Sequence, residues 1–157
     1  MPARKLMQYL DSNNVKYVTI AHSPSYTSQE VASIVHIKGR DFAKSVIVKI
    51  DGRLAMVVLP ASYRVDLSKV RSAAGAQSVT LATEAEFLGK FPGCETGAMP
   101  PFGNLYGMPV FVEESLTTNN EIAFNAGTHN ELIRLSYEDF AKLVQPKVMT
   151  FVHAKAA

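Results

Sequence analysis

Tryptophan is missing from this 157-residue chain, and cysteine occurs once, at Cys94. A lone thiol excludes an internal disulfide and fits a reducing compartment, so the expected setting is the cytoplasm. No apolar run approaches the roughly 18–20 residues needed to cross a bilayer, which argues against a membrane protein built on helices. The opening Met1-Pro2-Ala3-Arg4-Lys5-Leu6 is soon interrupted by Gln8 and Asp11, unlike the continuous apolar stretch of a secretory leader. Charge of one sign is scarce too: sixteen basic and fourteen acidic residues leave a net charge of +2. A polyanion would have to be held by a local patch rather than by the global field. Candidates are Lys38, Arg40, Lys44, Lys49, Arg64, Lys69 and Arg71, each of which reads equally as solvated surface charge. Repeats, low-complexity segments and Pro/Gly/Ser-rich linkers are also missing, which points to one domain.

Several families of site motif are absent: no phosphate loop, no G-x-G-x-x-G, no H-E-x-x-H and no C-x-x-C. His22, His36, His129 and His153 are widely spaced, so nothing local pairs them as metal ligands. Ser45, Ser62 and Ser115 lie outside any G-x-S-x-G elbow. Cys94 could act as a nucleophile with His129 as base, or be a small buried apolar residue. If the protein is a hydrolase, these absences suggest that its nucleophile is not a side chain.

What is present is an ordinary globular composition, 47% hydrophobic and 19% charged. Leu6, Met7, Tyr9 and Leu10 make a helical stripe over residues 3–13, followed by a strand from Val15 to Ala21. Ser28 could open a short helix burying Val31, Ile34 and Val35. The clearest local signal is a hairpin. Residues 43–50 are rich in β-branched side chains, Asp51-Gly52 is a favoured two-residue turn, and residues 54–59 form a second apolar run. Because both runs are nearly continuously apolar, both faces should be covered.

A helix then begins at Asp66 or Ser68 and ends at Gly75, with a short strand at residues 78–81 and a capping box at Thr83–Glu86. Proline and glycine crowd residues 92–103, which predicts an ordered loop. Strands follow at 108–112, 121–125 and 132–135. A helix opened by Ser136 and stopped by Pro146 leads to a closing strand at 148–152. Adjacent strands mixed with helices predict an α+β fold with a mixed sheet rather than a doubly wound parallel one.

Lys44 stands out. By alternation it shares a face with Val46 and Val48, opposite Ser45 and Ile47, on a strand expected to be interior. Such a lysine either snorkels outward or points into a polar cavity that receives an anion or a carbonyl.

Gly97-Ala98-Met99-Pro100-Pro101-Phe102-Gly103 resembles the G-x-x-x-P-F-G loop of the YbaK/prolyl-tRNA-editing family. Residues 43–48 are similar to that family's lysine-bearing strand. Asn125-Ala126-Gly127-Thr128-His129, followed by Ile133, resembles its N-x-G-[ST]-H stretch. The three blocks fall in the family's order, and the likeness covers nearly the whole chain.

The resemblance implies a single editing domain over residues 1–157, with a mixed, partly barrel-like sheet flanked by helices. It implies hydrolysis of the ester between a mischarged amino acid and the 3′-terminal adenosine of tRNA, without metal, cofactor or protein nucleophile. With no synthetase modules around it, the chain resembles the separate, trans-acting members, whose partners are mischarged tRNA and possibly an aminoacyl-tRNA synthetase. By the same analogy a ribose hydroxyl of the substrate helps the attacking water, and loop N–H groups around Gly97 and Ala98 polarise the carbonyl. Met99, Pro100 and Phe102 belong to the substrate-binding loop, although Phe102 also reads as core. Lys44 holds the terminal phosphate or the carbonyl. Asn125, Gly127, Thr128 and His129 make the opposite wall, and Asn125 could instead only tie off a strand.

The loop departs from the family pattern. Ala98-Met99-Pro100-Pro101 stands where a serine or cysteine and a single proline are more usual, so Met99 either narrows the pocket or packs behind it. Alanine, serine, threonine and cysteine all remain plausible cargoes. The alternative to catalysis is a binding module of the same fold that docks on tRNA or a synthetase.

Overall fold

The structure, a computed structural model, describes residues 4–21, 41–87, 89–95, 97–128 and 131–151. The order of elements is α1 (Arg4–Ser12), β1 (Tyr17–Ala21), β2 (Ala43–Ile50), β3 (Arg53–Pro60), α2 (Leu67–Ala74), β4 (Val79–Leu81), α3 (Glu84–Phe87), β5 (Val110–Glu113), β6 (Glu121–Asn125), β7 (Glu131–Ser136), α4 (Tyr137–Val144) and β8 (Lys147–Met149). The helix expected from Ser28 lies outside the described residues, as do Lys38, Arg40, His22, His36, His129 and His153.

The hairpin forms in the predicted register, from Ala43 opposite Pro60 to Ile50 opposite Arg53. Asp51 and Gly52 both take positive φ, 50° and 84°, which matches the twist of the paired strands. Asp51 has a second task. Its Oδ1 accepts the N–H groups of Gln77 and Ser78 at 3.0 and 2.9 Å, which delivers β4 to the edge of β2. The remaining signals also hold. Asp66 caps α2 through the N–H groups of Ser68 and Lys69, and Gly75 ends it in the left-handed region. Thr83 and Glu86 make both bonds of the capping box, although α3 behind them is a single turn.

Two sheets result, where the sequence pattern suggested one mixed sheet and the family resemblance a partly barrel-like one. A five-stranded mixed sheet has the order β4-β2-β3-β5-β8, and a three-stranded antiparallel sheet has the order β1-β7-β6. A parallel bridge between Phe42 and Ala123 joins them. Among the described residues neither sheet closes into a barrel, because β2 gives its outer edge to β4 only over Val48–Ile50. Phe42 takes β6 at the other end of that edge.

Both faces of the hairpin are covered, as its continuous apolar runs require. On one face Ala43, Ile47, Met56 and Val58 join Leu6, Leu10, Phe102, Phe124 and Phe140 in the larger core. On the other, Val48, Ala55, Val57 and Leu59 pack with Val70, Phe111 and Phe151. Phe102 is fully buried, with Phe124 and Phe140 at ring-centroid distances of 5.7 and 5.5 Å and Tyr9 at 6.4 Å. Aromatic contacts of this kind add to area burial. They anchor the Pro/Gly loop to the core.

Gly103 shows how closely that loop is applied to the sheet. A Cβ there would lie 2.9 Å from Val110 Cγ2 and 3.3 Å from Met56 Cβ, both on interior strands. Overpacking of this kind costs about 1–3 kcal/mol. Gly103→Ala is therefore expected to lower the unfolding free energy by that amount, read as a lower urea midpoint at unchanged m-value. An unaltered midpoint would show that the loop is not pressed against β3 and β5.

Candidate active site

The site grows from the bridge between the sheets. Because the Phe42–Ala123 pairing is parallel, β2 and β6 leave it in the same direction. Lys44 and Asn125 each come two residues later. Past Asn125 the chain turns through Gly127, whose φ of 94° is a conformation that suits glycine. There it meets the Pro/Gly loop twice. The Glu95 N–H donates to the Gly127 carbonyl at 2.7 Å, and the Gly127 N–H donates to the Ala98 carbonyl at 2.9 Å. Two segments some thirty residues apart in sequence are thus stitched like a short ladder.

Beside this stitch, β2 has an open edge. Phe42 pairs with β6, and the Ile47 carbonyl accepts from Ala82 at 3.0 Å, but among the described residues no strand pairs with residues 43–46 on that side. Lys44 and Ser45 sit in that gap. Lys44 is half-buried opposite Leu59 and has no ion-pair partner among the described residues. Burial pushes its amine below the usual lysine range, and the neighbouring Arg64 guanidinium pushes it the same way. Two neighbouring cations with no ion-pair partner for Lys44 among the described residues are a ready receptor for an anion.

Alternation separates the roles of the two neighbours. Lys44 lies on the Val46/Val48 face, turned towards Arg64. Ser45 shares the other face with Ala43 and Ile47, which join the cluster containing Met99, Phe102 and Ala126. The Ser45 hydroxyl is shielded from solvent and has no hydrogen-bond partner among the described residues. An orphan hydroxyl costs about 1–3 kcal/mol, so it marks a place where a polar ligand group would be welcome.

The loop itself is less free than its sequence suggests. Ala98 is fully buried, and its N–H is already committed to the Glu95 carbonyl at 3.0 Å. Gly97 is exposed, with φ of 84°, and its N–H rests only on the thioether of Met99 at 3.2 Å. Sulfur is a weak acceptor that a carbonyl oxygen can replace. Met99 tucks back beneath the loop, 7% exposed, and Pro100 is buried beside it. Phe102 belongs to the core, where its ring holds the loop from below. Asn125 and Thr128 are half-exposed on the far side; His129 lies outside the described residues.

Two other sequence candidates are set aside by their surroundings. Cys94 has its thiol pushed up by burial, although contact with the Tyr106 hydroxyl at 3.6 Å acts the other way. A protonated thiol is a poor nucleophile. Lys49 pairs with Glu86. Ser45 is the residue whose setting the sequence did not single out, whereas Arg64 was named only as one of several basic-patch candidates. Period-two alternation beside Lys44 was the available signal for Ser45; nothing local paired Arg64 with Lys44, because it lies in an irregular segment.

The family described as the aminoacyl-tRNA editing domain matches residues 22–143, and the chain belongs to it. Its class is therefore that of the editing hydrolases. Among its relatives, the multifunctional Ser/Thr-tRNA deacylase ProXp-y of Escherichia coli (strain K12) is 27% identical over 94% of this chain and 91% of its own length. The prolyl-tRNA editing protein ProX of Acetoanaerobium sticklandii is 28% identical, with 90% of each chain covered. A solved structure of a candidate trans-editing enzyme for prolyl tRNA synthetase superposes with a TM-score of 0.82, covering 97% of both chains at 22% identity, and thus shares the fold.

If Arg64 depresses the Lys44 amine, removing it must favour the charged form. Arg64→Ala is expected to raise the Lys44 pKa, read from the 13Cε shift of labelled lysine during a pH titration. A titration curve that does not move would show that the two cations are not electrostatic neighbours.

Proposed function

We propose that residues 1–157 act as one trans-editing domain, which hydrolyses the ester linking a small, wrongly attached amino acid to the 3′-terminal adenosine of tRNA. The observation that carries this is the two-way pairing of Gly127 with the Glu95–Ala98 turn beside the open edge of β2. It supports a site drawn from the segments that contain Lys44, Gly97 and Asn125.

In this reading Lys44, with Arg64 behind it, binds the terminal phosphate and sets the position of the ester. Correct placement of a reacting bond is by itself a large part of catalysis. The Gly97 N–H exchanges the Met99 sulfur for the ester carbonyl and stabilises the oxyanion as it forms. The Ser45 hydroxyl supplies a second polar contact to the aminoacyl group. No side-chain nucleophile is required: water attacks, assisted by the free ribose hydroxyl of the substrate, and the protonated ribose oxygen leaves. Asn125, Gly127 and Thr128 form the opposite wall, to which His129 is assigned by its adjacency in sequence. The turned-in Met99 packs behind the loop, which leaves room for alanine, serine, threonine or cysteine. Pockets of this kind separate such cargoes by about 1–3 kcal/mol per methylene. The site of action is the cytoplasm, where charged tRNA is made and used.

Chelator-treated protein should deacylate one or more of alanyl-, seryl-, threonyl- and cysteinyl-tRNA. Lys44→Ala should lose on the order of 10- to 100-fold in kcat/KM, the worth of a charged hydrogen bond, while keeping its fold. Cys94→Ser should keep full activity. Binding of charged tRNA with no hydrolysis above the uncatalysed rate would replace catalysis with a docking role.

Ser45→Ala separates a functional hydroxyl from a structural one. Deleting an unsatisfied buried group should leave stability equal or raised by about 1 kcal/mol, while turnover falls roughly tenfold. Unchanged turnover in that variant would remove Ser45 from the site.

A further inference from the structure

At the opposite end of β2 lies a cavity of about 580 Å³, bordered by the hairpin tip and by the segment that leads into β5. Its volume falls within the roughly 300–1,000 Å³ range of small-molecule sites. Six residues of extended chain separate Ile50 at its edge from Lys44, about 20 Å at strand rise, so it is a different place from the editing site.

The composition of the lining is specific. Leu54 and Met108 supply an apolar floor with the Tyr106 ring, all packed on the larger core, and Phe111 borders the cavity from the other cluster. The Tyr106 hydroxyl is engaged with Cys94, and its ring packs on Phe91 at a centroid distance of 4.7 Å, so the ring is held in place. Arg53 and Lys90 stand at the rim, both exposed and without an ion-pair partner among the described residues. Lys5 lies over the Tyr106 ring at 5.3 Å from its centroid and adds to the positive field. No carboxylate lines the cavity among the described residues. An apolar cavity bordered by exposed cations, with no carboxylate in its lining among the described residues, suits a ligand with an aromatic ring at one end and negative charge at the other.

We propose that this cavity binds an aromatic anion of mononucleotide size, with its ring against Leu54 and Met108 and its phosphate held by Arg53 and Lys90. The same chemistry is offered by a free nucleotide and by one nucleotide of an RNA strand.

The test is an NMR titration of the methyl-labelled full chain with AMP, with adenosine and inorganic phosphate as separate probes. AMP should shift the Leu54 and Met108 methyl groups, and adenosine or phosphate alone should bind at least tenfold more weakly. Arg53→Ala/Lys90→Ala, both surface changes, should weaken AMP at this site at least tenfold. The same shifts should persist in Lys44→Ala, which isolates them from AMP bound as a substrate fragment at the editing site. Displacement of AMP by a short single-stranded RNA would identify the strand as the source, and persistence of AMP would identify the free nucleotide. Absence of shifts at Leu54 and Met108 at millimolar AMP, or undiminished binding in the double variant, would overturn the proposal. Neither result bears on deacylation, which the double variant should retain.

Discussion

The backbone of Gly127 gives both its donor and its acceptor to the Glu95–Ala98 turn, and the site depends on that exchange. Buried backbone groups need partners, and a chain leaving a strand end normally finds them in a turn of its own. Here it finds them in a distant loop instead. The left-handed φ of Gly127 turns its peptide groups towards that loop, and the fully buried Phe102 keeps the loop from drifting away. Each part is weak alone. Together they tie the turn that contains Gly97 to the chain leaving β6.

The second constraint is that β2 is covered on both faces. A polar residue on such a strand has no solvent face to use, so Lys44 and Ser45 are tolerated only where the strand has an open edge. The edge opens because β4 is three residues long and because β6 touches β2 at a single bridge. Within the gap, alternation sends the amine towards Arg64 and the hydroxyl towards the cluster of Met99 and Ala126. A cationic amine and a buried hydroxyl are thereby divided between neighbouring residues, with the sheet between them.

Much of the scaffold follows from local chemistry. The Asp51-Gly52 turn, the Asp66 and Ser136 caps, the glycine after α2 and the stop before Pro146 each satisfy backbone requirements within a few residues, so their patterns are readable without the fold. The three motif blocks around Lys44, Gly97 and Gly127 were likewise legible as residue types in order. Less legible were the lengths of short elements: α3 stops after one turn and β8 after three residues, because packing rather than propensity decides where marginal segments end.

What the linear pattern determined, then, was the hairpin, its two covered faces, the capped helices and the order of the three motif blocks. Only the tertiary structure decided that the strands divide into two sheets and that the Ala98 N–H is closed on Glu95. It alone placed Arg64 beside Lys44 and left the Ser45 hydroxyl without a partner among the described residues. The reason is physical. Caps and turns are settled by neighbours in sequence, whereas an unpaired edge, a like-charge pair and an orphan hydroxyl depend on segments that approach only once the core has formed.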